Sequence, residues 1–108
     1  MAQRNDSKSW FSNFGPGVDI FAPGQDIWGA DIVSPTNLNP NYPDRKESGT
    51  SQAAPHIAGL AAYLMRLENL STPSAVTNRI LQLARASGIT LKQNEPNTTG
   101  LIANNGKL

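Results

Sequence analysis

The chain of 108 residues contains no cysteine, which excludes disulfide frameworks and thiolate metal sites. That absence leaves the compartment open, because secreted proteins of ordinary size can do without disulfides. Histidine is nearly as scarce. His56 is the only one, so any proton transfer through an imidazole rests on that side chain. Charged residues are 16% of the chain, the net charge is +1, and no block of like charge runs along it. Nucleic-acid and acidic-membrane partners call for clustered Lys and Arg, so neither is expected. Long apolar runs are missing as well: the longest, residues 57–65, is about half of the roughly 20 residues that cross a bilayer. The opening stretch MAQRNDSKSW is polar and lacks the apolar core of a signal peptide. No internal repeat or low-complexity segment occurs, and the length suits one small domain.

What is present reads as a short sequence of elements. Residues 1–9 are polar and are expected to fray. WFSNFGPG places Trp10, Phe11 and Phe14 before a Gly-Pro-Gly turn, with the phenylalanines expected in core or hairpin packing. Residues 18–22 read as a short strand stopped by Pro23 and Gly24, and residues 25–33 as a second strand. Residues 34–44, with Pro35, Pro40 and Pro43, read as an exposed loop. A brief strand over residues 45–48 is expected to return antiparallel to the second one. A helix follows over residues 51–67, with Pro55 placed in its first turn, where a missing N–H matters little. Its apolar residues cover nearly the whole circumference, the pattern of a helix buried on all sides. A second helix has Thr72 as cap, Pro73 at its first position and Val76, Ile80, Leu83 and Ala84 on one face, with Gly88 at its stop. Residues 101–103 predict a short strand in a polar tail. Two or three short strands and one amphipathic helix are too little to cover a fully buried helix, which needs further layers around it.

The stretch ESGTSQAAPHIAGL holds the candidate chemistry. Ser51 at a helix start has two readings: a nucleophile beside unpaired backbone N–H groups that could stabilise an oxyanion, or a plain N-cap. A serine nucleophile needs a base with an orienting partner. His56 lies five helical steps on, roughly 140° around the axis from Ser51, so it is expected to point into surrounding structure as a hydrogen-bonded buried histidine. Lys46 could in principle form a Ser-Lys dyad, against the commoner role of an exposed strand lysine. These residues cannot assemble a Ser-His-Asp triad. Two Asn-x-Ser/Thr patterns, at Asn69 and at Asn97, are short enough to arise by chance and leave glycosylation open.

SGTSQAAPHIAGLAAYLM resembles the active-site serine segment of subtilisin-like serine proteases, especially their proteinase K-like branch, which typically reads Gly-Thr-Ser-Met-Ala-Thr/Ser-Pro-His-Val-Ala-Gly. FSNFG and DIFAPG match two upstream landmarks in the right order. The similarity is strongest over residues 9–86, and residues 1–108 are taken as the C-terminal portion of one such domain with no second domain. The resemblance implies an α/β fold, a three-layer domain with a parallel sheet sandwiched by helices, of which this chain would hold the C-terminal third. It implies endopeptidase activity on protein or peptide substrates through an acyl-enzyme on Ser51, with the Ser51 N–H as part of the oxyanion hole. The family's catalytic aspartate and histidine lie upstream, so these residues by themselves are expected to be inactive. The alternative is a non-catalytic remnant that binds another polypeptide, such as the N-terminal part of a protease domain. The parent family is secreted. No cofactor is expected, although Asp19 matches an aspartate that binds calcium in proteinase K-like members. Gln52 replaces the usual methionine, Ala54 the usual Thr or Ser, and the loop over residues 34–44 exceeds the usual hairpin.

Overall fold

In the computed structural model, residues 1–30, 44–92 and 95–107 are described. The regular elements in chain order are strand β1 (Ile27–Ala30), strand β2 (Asp44–Glu47), helix α1 (Thr50–Glu68) and helix α2 (Pro73–Ala86). Residues 31–33 of the expected second strand, and all but Asp44 of the expected loop, lie outside the described residues.

The strands β1 and β2 pair antiparallel, with Ile27 opposite Glu47 and Trp28 opposite Lys46, as the sequence predicts. The expected strand over residues 18–22 does not form as a regular strand. Instead three extended segments lie side by side and parallel. Ala2 bridges Pro23, and Phe21 bridges Ile102. The ladder runs through Ala2 N to Ala22 O at 2.8 Å, Phe21 N to Leu101 O at 2.8 Å and Ala103 N to Phe21 O at 2.8 Å. Isolated parallel bridges are what remains when short segments contribute only one or two pairs each. The tail over residues 101–103 is thereby used, but as a bridge. These elements are consistent with part of an α/β domain of the expected kind.

Pairing at Ala2 also overturns the expectation that residues 1–9 fray. Met1 is 5% exposed, Ala2 3% and Ser9 0%. The Ser9 hydroxyl donates to Gln25 Oε1 at 2.8 Å. A terminal segment tied to a sheet edge is held by its ladder bonds. The aromatics differ from expectation in the other direction. Phe21 is buried, whereas Trp10, Phe11 and Phe14 are exposed, Trp10 against Phe11 edge-to-face and Phe14 under the Lys8 ammonium at 5.3 Å.

The second helix follows its local signals closely. The Thr72 hydroxyl caps α2 by accepting from Ala75 N at 3.2 Å, and Pro73 sits at the first helical position. Val76, Ile80, Leu83 and Ala84 are all buried. Gly88 has φ +68°, the left-handed region a glycine enters without a Cβ penalty as the chain leaves a helix. Val76, Ile80 and Leu83 pack with Leu64 of α1, and Ile20, Ile57, Leu60, Ala61 and Leu70 border them. Each such side chain contributes about 1.5–3 kcal/mol when fully removed from water. At the corner between the helices, Glu68 accepts from Arg79 Nε at 2.7 Å and Nη2 at 2.9 Å. That bidentate bond to Glu68 raises the Arg79 pKa above its ordinary value.

Helix α1 meets the rest of the described residues on one side only. Ala53 and Leu64 are its buried residues, and Ile57, Leu60 and Ala61 are half-buried beside them. Ala54, Ala58, Ala62, Tyr63, Met65 and Leu67 are exposed. The sequence pattern of an all-round buried helix is therefore present with cover along one side among the described residues.

Candidate functional site

Ser51 is the second residue of α1. The N-cap is Gly49, with extended backbone and no side-chain cap, so Ser51 is not the cap that one sequence reading allowed. Its side chain is exposed. Its hydroxyl has no hydrogen-bond partner among the described residues. The first bonds of α1 run from Gln52 N and Ala53 N to Gly49 O, at 3.0 and 3.3 Å. The amides of Thr50 and Ser51 are left without acceptors among the described residues, as expected at a helix start. Hydroxyl and free amides thus share one exposed helix end, at the positive pole of a 19-residue helix that favours negative charge.

Pro55 strengthens the unusual character of this end. It is the sixth residue of α1, one position further in than a helix start at residue 51 gives and just past the first turn where it was expected. Having no N–H, it cannot bond the carbonyl four residues back, which is that of Ser51. The residue bearing the candidate nucleophile therefore lacks, at its C=O, the bond that an N–H at position 55 would have made.

What holds the helix start in place is a close backbone approach. Gly49 N donates to Gly24 O at 2.8 Å, and Gly24 N donates to Ala2 O at 3.2 Å. A Cβ on Gly24 would stand 2.8 Å from Gly49 O, 3.0 Å from Ala53 Cβ and 3.0 Å from Met1 Sδ. In the sequence Gly24 reads only as the stop of a short strand. Its glycine has a sharper purpose, since it lets the end of DIFAPG lie flat beneath the residue that leads into Ser51. The motif was visible in the sequence, but contact between residues 24 and 49 was not. Gln52 closes the other side. A Cβ on Gly49 would meet its Oε1 at 2.7 Å, so the carboxamide folds back towards the N-cap from the third helical position, as in half of a capping box.

Neither candidate base reaches the hydroxyl. His56 is exposed and not buried, and its Nδ1 bonds the Gln52 carbonyl at 2.8 Å. The burial expected for it depends on layers that these residues do not supply. Lys46 Nζ pairs with Asp26 at 3.4 Å and lies 5.9 Å from the Trp28 ring centroid, so its ammonium belongs to the hairpin. Asp19 is exposed. No group of three His, Cys, Asp or Glu side chains placed to share a metal occurs among the described residues, whereas calcium takes six to eight oxygens. A cavity of about 770 Å³ lies between residues 3–6 and the hairpin residues Asp26, Trp28 and Lys46, and Ser51 does not line it. No helix among the described residues is long and apolar enough to cross a membrane.

Comparison with known proteins bears on this helix start. The model of the subtilase family matches residues 2–104. Alkaline protease 1 of Aspergillus clavatus is 50% identical over 94 residues, covering 87% of this chain and 22% of that protein. Alkaline protease 1 of Aspergillus oryzae is 47% identical over 104 residues, 96% of this chain and 24% of that protein. The subtilisin-like serine protease AsES of Sarocladium strictum is 49% identical over 100 residues, 92% of this chain and 24% of that protein. The chain spans less than a quarter of the length of these relatives.

Proposed function

The chain belongs to the subtilase family, and from that premise we propose that it supplies the nucleophile-bearing part of a serine endopeptidase acting on proteins or peptides. Ser51 Oγ attacks the scissile carbonyl and forms the acyl-enzyme, while the free N–H of Ser51 donates to the developing oxyanion. The observation that carries this reading is an exposed hydroxyl with no partner, beside amides with no acceptor, among the described residues, at a helix start held by backbone contact with Gly24. Such preorganisation is worth most where charge develops in the transition state.

On this reading the proton goes to a base beyond the described residues; in support, the one histidine bonds the carbonyl of Gln52 and not the Ser51 hydroxyl. The names of the relatives support a protease, and a secreted setting fits them. Calcium, if the complete domain uses it at Asp19, needs further oxygen donors.

The test is a fluorophosphonate probe, which labels only an activated serine. These residues alone should remain unlabelled. Co-expressed with the preceding part of a subtilase domain that carries the aspartate and histidine, they should label at Ser51, and Ser51→Ala should abolish it. Labelling of the chain alone would show that the base lies within it, and an unlabelled complementing pair that co-purifies would remove Ser51 as nucleophile.

A second reading rests on the exposed apolar side of α1, with Ala54, Ala58, Ala62, Tyr63 and Met65. Such a face marks a contact surface, and a non-catalytic member would use it to bind another polypeptide. A monomer that unfolds cooperatively and binds no hydrophobic dye would end this second reading.

A further inference from the structure

The two Asn-x-Ser/Thr patterns have no part in the chemistry at Ser51, and the fold treats them differently. Asn69 closes α1: it has φ 53° and its N–H bonds Met65 O. Its neighbours are both engaged, Glu68 with Arg79 and Leu70 with the interhelical core. Extending this stretch into an enzyme's peptide groove would undo the helix cap. Asn97 has φ 55° and is exposed. It lies in a turn closed by Thr98 N to Glu95 O at 3.2 Å, outside any helix. Its side chain has no hydrogen-bond partner among the described residues.

The hydroxyl two residues on also differs, being Ser71 in one pattern and Thr99 in the other. The β-branch of threonine restricts χ1, so its hydroxyl is held in place at smaller entropic cost. Thr99 Oγ1 accepts from Leu101 N at 3.2 Å and keeps its own proton free to donate. The flanks of the turn are fixed by Gly15 N to Thr98 Oγ1 at 2.7 Å and by Lys8 against Glu95 at 3.6 Å.

We propose that Asn97 is a modification site, the acceptor of an N-linked oligosaccharide. The donor class is a lipid-diphosphate-linked oligosaccharide. Asn97 Nδ2 forms a bond to C1 of the first sugar as the C1–O bond to the diphosphate breaks. The diphosphate leaves with the bonding electrons, and Nδ2 gives up one proton; nothing is oxidised or reduced. The attached sugar stands beside the turn that carries exposed Phe14, because the same Lys8 that pairs with Glu95 also lies over that ring.

The experiment expresses the full chain behind a secretion leader in a yeast host and compares intact mass before and after an endoglycosidase. The wild type, Asn69→Gln and Thr99→Ser should carry a glycan at position 97, and Asn97→Gln and Thr99→Ala should each lose one glycan mass. Thr99→Ala keeps the asparagine but loses the bond from Leu101 N, which Thr99→Ser retains, so loss in Asn97→Gln and Thr99→Ala with retention in Thr99→Ser reports the acceptor pattern and not a folding failure. A mass unchanged by Asn97→Gln, including a wild type without glycan, overturns the proposal. Since the leader imposes the route, that outcome leaves the peptidase reading untouched.

Discussion

Replacing Gly24 with alanine tests whether backbone contact sets the start of α1. The added methyl would meet Gly49 O at 2.8 Å and Ala53 Cβ and Met1 Sδ each at 3.0 Å, all shorter than comfortable van der Waals separation. The Met1 side chain can swing away. The Gly49 carbonyl cannot do so alone, because it accepts the first two bonds of α1. Relief therefore requires the helix start to shift or the Gly24 loop to lift. Overpacking of this kind costs about 1–3 kcal/mol. For a domain of this size each kcal/mol moves the melting temperature by roughly 4–8 °C. Gly59→Ala is the control: the same chemical change in the interior of α1, where a Cβ meets nothing within 4 Å, should stabilise by about 0.8–1 kcal/mol through helix propensity. Urea unfolding followed by far-ultraviolet circular dichroism measures both, and hydrogen exchange at the amides of Gln52 and Ala53 localises the first. Equal stability for Gly24→Ala and the wild type, or the same sign for both substitutions, would refute the argument.

Three further predictions concern the helices. Leu64→Ala empties a site 1% exposed and should cost about 2–5 kcal/mol, whereas Leu67→Ala, at a position 57% exposed, should stay within about 0.5 kcal/mol of the wild type; urea midpoints distinguish them. Thr72→Ala removes the α2 cap and should cost about 1 kcal/mol, with Thr72→Ser restoring most of it in the same assay. Glu68→Gln breaks the bidentate pair with Arg79 and should lower the melting temperature at low salt by more than at high salt, because ions screen a partly exposed pair. A loss independent of salt would show that Glu68 acts by packing.

The candidate site was legible in the sequence as far as residue types and order allow. Ser51 at a helix start, and the motifs around it, stand in the chain itself. Its exact position in the helix, second residue and not cap, depended on where Gly49 turned. Spacing already turned His56 away from Ser51, and its ring bonds the Gln52 carbonyl of its own helix; what no spacing displays is that Lys46 meets Asp26 and Trp28 across the hairpin.

Sequence alone determined α2, its cap, its proline and its buried face, because those signals act between residues a few positions apart, and it also showed the pairing of β1 with β2, two strand-like stretches that follow one another along the chain. Tertiary structure decided that the first nine residues are held, that Gly24 lies beneath Gly49, and that α1 is covered along one side. The physical reason is that burial and close approach depend on which surfaces meet across long stretches of chain, and a periodic apolar pattern states only that a surface must be covered, not by what.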